Sequence, residues 1–197
     1  MSQAWKPSML TLLALAGCAV PEAGARPQAG MAGTCQIASL KSRAGREWVA
    51  QNRWRFADEA AAEAAYAALA VNSSPSPWPD WYKAYETELP VSTRFQMALA
   101  KGQSTDSPGN WGTFDRIWNV RDVRDYLAVR SDWKPDVVSV VTYEVVRPLP
   151  VRVGPIGPQV DPKLCRYLPG RWSQFQSLAE KGTFRSYLKV LEVRAIR

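Results

Sequence analysis

The chain has 197 residues and no histidine, and this composition limits the chemistry that its side chains can perform. Ser-His-Asp and Cys-His catalysis, zinc bound by histidine and haem bound by histidine all require the missing residue. Any reaction must therefore use carboxylates, glutamine, tyrosine, serine, arginine or lysine.

The most distinctive spacing of such residues lies between Tyr143 and Phe175. Residues 143–151 are YEVVRPLPV, residues 154–158 are GPIGP, and residues 170–175 are GRWSQF. These segments predict a buried strand that runs into a bend, followed by a loop that glycine and proline hold open. Gln174, near the end of the stretch, is the side chain best suited to chemistry there.

This stretch resembles the tuberculosis necrotizing toxin family of NAD glycohydrolases. Its members carry Y-x-V-x-x-P-x-x-V, then G-x-x-x-P, then a glycine-rich segment that ends in Q-Y or Q-F. The resemblance covers residues 91–196 and implies an ADP-ribosyltransferase-like fold, in which two small sheets clamp NAD. It implies NAD as substrate, water as acceptor, no prosthetic group, no metal, and a cognate inhibitor protein as partner.

The resemblance also implies roles for individual residues. Gln174 matches the catalytic glutamine that contacts the nicotinamide ribose, and a neutral amide can hold a hydroxyl and orient water beside an oxocarbenium-like transition state. Arg94 resembles the strand arginine that binds the phosphates, for which a bidentate guanidinium is suited. Further matches are the turn glycines and an aromatic near nicotinamide, Gly109, Gly112 and Phe114. Further pyrophosphate candidates are Arg121, Arg124 and Arg130. Taken singly, each of these side chains also fits an ordinary surface or core position.

The chain departs from the family pattern at two places. Ser107 follows Asp106 where the family commonly has arginine, and residues 171–173 are RWS where the family has glycines. We expect Trp172 either to stack on the ligand or to block it.

Two other functions are compatible with the sequence. One is a non-catalytic envelope lipoprotein that binds a protein or a cell-wall component through its nine tryptophans and the proline-rich loop at 73–81. The other is a hydrolase that uses a carboxylate pair drawn from Asp80, Glu86 and Glu88.

The N-terminus predicts export and lipidation. Residues 1–17 contain Lys6 and a short apolar run, which is typical of a signal peptide. The run ends in LAGC, so Cys18 is the predicted lipidated residue, and residues 18–34 form a tether rich in Ala, Gly and Pro. The protein is therefore predicted to be anchored by lipid to a membrane of the bacterial cell envelope. In that compartment Cys35 and Cys165 form a disulfide or remain two buried thiols, and we favour the disulfide.

The charge of +7 attracts anions, but the basic residues are dispersed, which disfavours nucleic-acid binding. Arginines around a pyrophosphate would account for the same excess.

The hydrophobic pattern predicts one α+β domain over 35–197, with a helical part at 35–90 and a mainly antiparallel, split-sheet part at 91–197. The predicted helices are 36–51, 58–71, 120–129 and 173–181. The predicted strands are 93–100, 137–146, 151–153 and 187–196. Residues 101–112 and 154–170 are predicted loops.

Overall fold

A computed structural model of the chain describes residues 35–72, 76–180 and 182–197. The predicted signal peptide, Cys18 and the tether lie outside the described residues, so export and lipidation stay predictions. Among the residues that are described, no helix is both long and apolar enough to cross a membrane.

Two helices form the first part of the domain. Helix α1 (Arg43–Asn52) begins after Ser42, whose Oγ accepts a hydrogen bond from the Gly45 amide at 2.9 Å. Helix α2 (Glu59–Val71) begins after Asp58, whose carboxylate accepts from the Ala61 amide. These caps satisfy amide groups that a helix start otherwise leaves unpaired. The prediction of α2 is confirmed, whereas α1 begins seven residues later than predicted, at its serine cap.

The strands form two small antiparallel sheets and a hairpin. The four-stranded sheet consists, in order across the sheet, of β1 (Tyr85–Leu89), β5 (Leu149–Pro155), β8 (Ser173–Ser177) and β3 (Trp111–Gly112). The three-stranded sheet consists, in order, of β2 (Arg94–Ala100), β4 (Val137–Val145) and β9 (Leu188–Ala195). The hairpin consists of β6 (Gln159–Asp161) and β7 (Arg166–Leu168), and a third helix, α3 (Val120–Asp125), precedes β4. The prediction of an α+β fold with mainly antiparallel strands is confirmed.

The predicted helix at 173–181 is wrong, because this segment begins with strand β8. Phe175 is fully buried and contacts Phe95 at 4.8 Å between ring centroids, while β8 pairs with β5 on one side and β3 on the other. These pairings come from segments distant in sequence, and they override local helical periodicity. The loop predicted at 154–170 likewise contains the β6–β7 hairpin, and the part predicted as helical contains β1.

The two sheets share a core. Phe95 on β2 stacks on Tyr143 of β4 and meets Phe175 of β8 edge-on, so its ring joins the two sheets. Gly112 lies against these rings, and a Cβ atom there would come within 2.5 Å of the Phe175 ring. The absence of a side chain at 112 therefore allows β3 to approach the core.

A disulfide joins Cys35 to Cys165, with 5.8 Å between the two Cα atoms. It attaches the segment before α1 to the turn of the β6–β7 hairpin, across a sequence separation of 130. A closed loop of this length strongly restricts the unfolded chain.

We expect the Cys35→Ala/Cys165→Ala double variant to lose about 2–4 kcal/mol of unfolding free energy. Urea titration followed by circular dichroism measures the loss, and wild-type protein treated with reductant should show the same change. Equal stability of the oxidised wild type and the double variant would contradict the expected contribution of the bond.

Candidate functional site

A cavity of about 280 Å³ lies where the two sheets meet. Its wall is drawn from β2, β3 and β8, from Pro77, from the β5–β6 connection and the start of β6, and from the loop between α3 and β4. The polar or aromatic residues of the wall are Gln96, Trp111, Thr113, Trp133, Lys134, Gln159 and Gln174. Ligand pockets commonly measure roughly 300–1,000 Å³, so this cavity suits one ring system with its substituents.

Gln174 lies in this wall. It is the second residue of β8, opposite Gly154 of β5, and only 8% of its surface is exposed. Its Nε2 donates to the Pro77 carbonyl oxygen at 2.5 Å. Because the amide nitrogen is fixed in this way, the Oε1 oxygen is the atom available to a ligand.

Residues 76–82, called the proline-tryptophan segment below, hold Gln174 through Pro77 and pack closely on the end of β5. A Cβ atom on Gly154 would come within 2.7 Å of the Tyr82 ring, and one on Gly157 within 2.6 Å of the Trp78 backbone. The Gly157 amide also donates to the Pro77 carbonyl oxygen at 2.8 Å. Because these two glycines have no side chains, the proline-tryptophan segment packs directly against the backbone at the end of β5, and its Pro77 lines the cavity.

Gln159 is the second glutamine whose amide this segment holds. It is 3% exposed, and its Nε2 donates to the Ser76 carbonyl oxygen at 3.2 Å. Its Oε1 is buried and has no hydrogen-bond partner among the residues that the structure describes. Buried polar atoms are nearly always paired, so a donor from water or a ligand would satisfy this oxygen.

The third glutamine of the wall is already satisfied. Gln96 donates through Nε2 to Thr142 Oγ1 at 3.1 Å and accepts through Oε1 from the Ile117 amide at 2.8 Å. It therefore supports the wall, whereas the hydrogen bonds described for the Gln159 and Gln174 side chains involve only the amide nitrogen.

Arg124 holds the loop that forms the opposite wall. Its guanidinium is 8% exposed and donates to the carbonyl oxygens of residues 129, 130, 134 and 135 at 2.7–3.1 Å. Burial lowers the pKa of this arginine, and the charges of Asp161 and Asp136 oppose that shift. Asp161 fixes the same loop from the hairpin, since its carboxylate accepts from both the amide and the hydroxyl of Ser131.

This loop contributes a tryptophan and a cation to the cavity. Lys134 Nζ donates to the Ala98 carbonyl oxygen at 2.6 Å and to Gln103 Oε1 at 3.1 Å. Desolvation, with a smaller contribution from the Arg124 charge, lowers the pKa of this lysine. Trp133 and Trp111 both line the cavity and offer flat surfaces against which an aromatic ligand can pack.

The predicted turn residues fall in different places. Gly112 lines the cavity, whereas Gly109 is an exposed turn residue with a φ of +91°. Phe114 lies outside the wall and packs on Phe175, with 5.5 Å between ring centroids. Its amide donates to Ser173 Oγ, which links this loop to the start of β8.

The predicted phosphate-binding arginines are not gathered around the cavity. Arg94 is 68% exposed along its side chain and pairs with Glu144 at 3.2 Å. Arg121 is 82% exposed and pairs with Asp125, one turn further along α3. Arg130 pairs with Asp132 at 2.6 Å and lies over the Trp133 ring. Arg124, described above, is engaged with the loop backbone.

The departures from the family motif are accommodated within the fold. Trp172 stacks on Tyr126 with 4.9 Å between ring centroids and is not among the residues that line the cavity. Asp106, which precedes Ser107, pairs instead with Arg185 at 2.8 Å.

A second groove contains Asp80, one of the three acids from which the sequence predicted a carboxylate pair. Trp54 and Trp81 line it together with Asp80, which accepts two hydrogen bonds from Arg55 at 3.0 Å. Glu86 lies on β1 and pairs with Arg152, and Glu88 is an exposed residue of the same strand. These acids do not form a pair that faces a common cavity.

Sequence reasoning missed Gln159, Lys134 and the carbonyl groups of residues 76 and 77. One available signal was the pair Gly154 and Gly157, since glycines at such spacing mark a close approach of another backbone. Nothing in the sequence shows that the approaching backbone belongs to the proline-tryptophan segment.

No family model and no curated protein matches the sequence. Solved structures do match. A chain from the structure of Tne2 in complex with Tni2 is 20% identical with a TM-score of 0.50, covering 60% of this chain and 97% of that one. A chain from Rhs1-CT in complex with its cognate immunity protein RhsI1 is 13% identical with a TM-score of 0.42, covering 57% and 81%. A chain from Tse6 in complex with Tsi6 is 14% identical with a TM-score of 0.39, covering 75% and 93%. The likeness to the first of these shows a shared fold.

Proposed function

We propose that this protein is an NAD⁺ glycohydrolase with an ADP-ribosyltransferase-like fold, and that the cavity between its sheets binds the nicotinamide end of NAD⁺. The bond between ribose C1′ and the nicotinamide nitrogen breaks, and its electron pair leaves with nicotinamide. A water oxygen bonds to C1′ and releases one proton to solvent. The products are nicotinamide and ADP-ribose, and the balance requires no oxidant or metal.

The observation that carries this proposal is the placement of Gln174. The residue that the motif resemblance designates as catalytic is buried, lies in the cavity wall and is held through its amide nitrogen by the Pro77 carbonyl. An oxygen fixed in this way accepts from a ribose hydroxyl and keeps C1′ accessible to water. Much of the rate then comes from orientation, which can contribute several orders of magnitude.

The rest of the wall suits the rest of this substrate. Trp111 and Trp133 provide flat surfaces for the nicotinamide ring. The cavity is too small for a whole dinucleotide, so the phosphates would lie outside it. Arg94 is two residues before Gln96 on β2, and a phosphate that displaces Glu144 would bind its guanidinium there.

We extend the proposal to a toxin-type enzyme with a cognate inhibitor protein, anchored to the cell envelope through Cys18. The matched chain with the same fold comes from a complex of two proteins, Tne2 and Tni2, which supports a dedicated protein partner here. The anchor rests on the LAGC sequence that ends the apolar run.

The test is to incubate the purified full-length protein with NAD⁺ and to measure nicotinamide and ADP-ribose by chromatography. We expect equal molar amounts of both products, with a turnover number in the usual enzymatic range of about 1–10³ s⁻¹. Heat-denatured protein is the control. Nicotinamide release no faster than with that control would overturn the proposal.

One observation favours a second function, that of a binding module. Trp54 and Trp81 are 82% and 68% exposed at the edge of the second groove, and exposed tryptophans are common contacts in interfaces. If NAD⁺ is neither bound nor cleaved, while Trp54→Ala abolishes binding to cell-wall material, this function replaces the enzymatic one.

A further inference from the structure

We propose that Gln159 selects the carboxamide group of the substrate, so that the cavity accepts NAD⁺ and rejects its analogue with a nicotinic acid ring. This inference rests on the proposed function and names a specificity-determining residue for it. Its basis is the buried Oε1 atom of Gln159, which no other described residue pairs with and which belongs to a residue of the cavity wall.

The orientation of this amide is fixed by its surroundings. The Nε2 atom donates to the Ser76 carbonyl oxygen, and the opposite orientation would set two oxygens against each other. Strand β6 further restrains the residue, because Gln159 pairs with Leu168 in the hairpin. The Oε1 atom therefore stays a hydrogen-bond acceptor on a residue of the cavity wall.

Gln159 and Gln174 are held by the same short segment although they lie on different strands. Their nitrogens donate to the carbonyl oxygens of consecutive residues, Ser76 and Pro77. Both residues line the same cavity. A ligand that satisfies both amide oxygens must carry two hydrogen-bond donors, one for each oxygen.

A nicotinamide riboside meets this requirement. In the proposed pose its ribose hydroxyl donates to Gln174, and the carboxamide N–H donates to Gln159. The carboxyl group of a nicotinic acid ring is deprotonated at neutral pH, so it offers only oxygen acceptors at the same position. Its carboxylate would face the Gln159 oxygen in a buried setting, where an unpaired charge is strongly disfavoured.

The experiment compares NAD⁺ with nicotinic acid adenine dinucleotide as substrates of the full-length protein and of Gln159→Met. Methionine keeps the length of the side chain and removes the acceptor. We expect the wild type to prefer NAD⁺ by about 10- to 100-fold in kcat/KM. We expect Gln159→Met to reduce the preference to about threefold or less, chiefly by slowing NAD⁺ cleavage. Gln176→Met, on the same strand as Gln174 but outside the cavity wall, should retain the full preference.

A second measurement needs no variant. Calorimetry of the wild type with free nicotinamide and free nicotinate should show binding of the amide at least about 10-fold tighter than that of the acid. Active wild-type enzyme that uses both dinucleotides equally, or a Gln159→Met variant that keeps the preference, overturns the role of Gln159 and leaves the proposed function standing. If the wild type neither cleaves NAD⁺ nor binds nicotinamide, the proposed function fails and the selection by Gln159 fails with it.

Discussion

Gln174→Ala is expected to lower kcat for nicotinamide release from NAD⁺ by about 10²–10³-fold, with a smaller change in KM. The amide oxygen is proposed to hold the ribose hydroxyl as positive charge develops at C1′, so its removal costs more in the transition state than in substrate binding. Alanine also releases the Pro77 carbonyl, which loosens the wall beside the reacting carbon. Initial rates of nicotinamide release at saturating NAD⁺ measure the effect.

The matched control for this variant is Gln176→Ala. Gln176 lies two residues further along β8, pairs with Arg152 and Trp111 across the sheet, and is not part of the cavity wall. We expect wild-type turnover from it. Circular dichroism and thermal unfolding establish that both variants are folded. If folded Gln174→Ala cleaves NAD⁺ at the wild-type rate, the catalytic role of Gln174 is wrong.

Arg124→Met is expected to lower the unfolding free energy by about 3–4 kcal/mol. Methionine fills most of the space but removes a donor from four backbone carbonyls of the loop between α3 and β4, of which only that of Arg130 keeps a second donor, the Lys134 amide. Since the same loop carries Trp133 and Lys134, binding of NAD⁺ should weaken as well. Urea unfolding gives the change in stability, and calorimetry with NAD⁺ gives the change in affinity.

Arg121→Met is the control for this prediction, because Arg121 lies on the same short helix and carries the same charge. Its side chain is 82% exposed, and its partner Asp125, which is 11% exposed, keeps a second ion pair with Arg166, so the loss of Arg121 should cost at most about 1 kcal/mol. Equal destabilisation by the two substitutions would mean that the buried hydrogen bonds of Arg124 contribute nothing beyond its charge.

The parts of the fold that the sequence predicted well are those with strong local signals. Strand β4 is nine residues of mostly β-branched side chains, and α2 is an alanine-rich segment behind an aspartate cap. In both cases the residue types restrict the backbone before any distant contact forms. The strand at 173–177 has no such signal, because its sequence SQFQS suits a helix start equally well.

In the candidate site, the sequence predicted residues that belong to a local motif and missed those that only distant contacts bring to the cavity. Gln174 could be singled out from its spacing to the glycine and proline loops, but its partner Pro77 is 97 residues away. Gln159 and Ser76 are 83 residues apart in the chain. Contacts at this separation depend on how the two sheets close on each other, and no local pattern encodes that closure. The arginines show a different limit, since residue type alone does not show which of them form ion pairs or bind the loop backbone.

The Cys35–Cys165 bond has a mechanical consequence. Tension applied to the chain ahead of Cys35 passes through the sulfur atoms directly to Cys165, so the covalent bond shields residues 36–164 from the load. Only the stretch after Cys165, which contains β7, β8 and β9, can be drawn out between that point and the C-terminus. A pull from the N-terminal side therefore leaves α1, α2 and strands β1 to β6 outside the line of force.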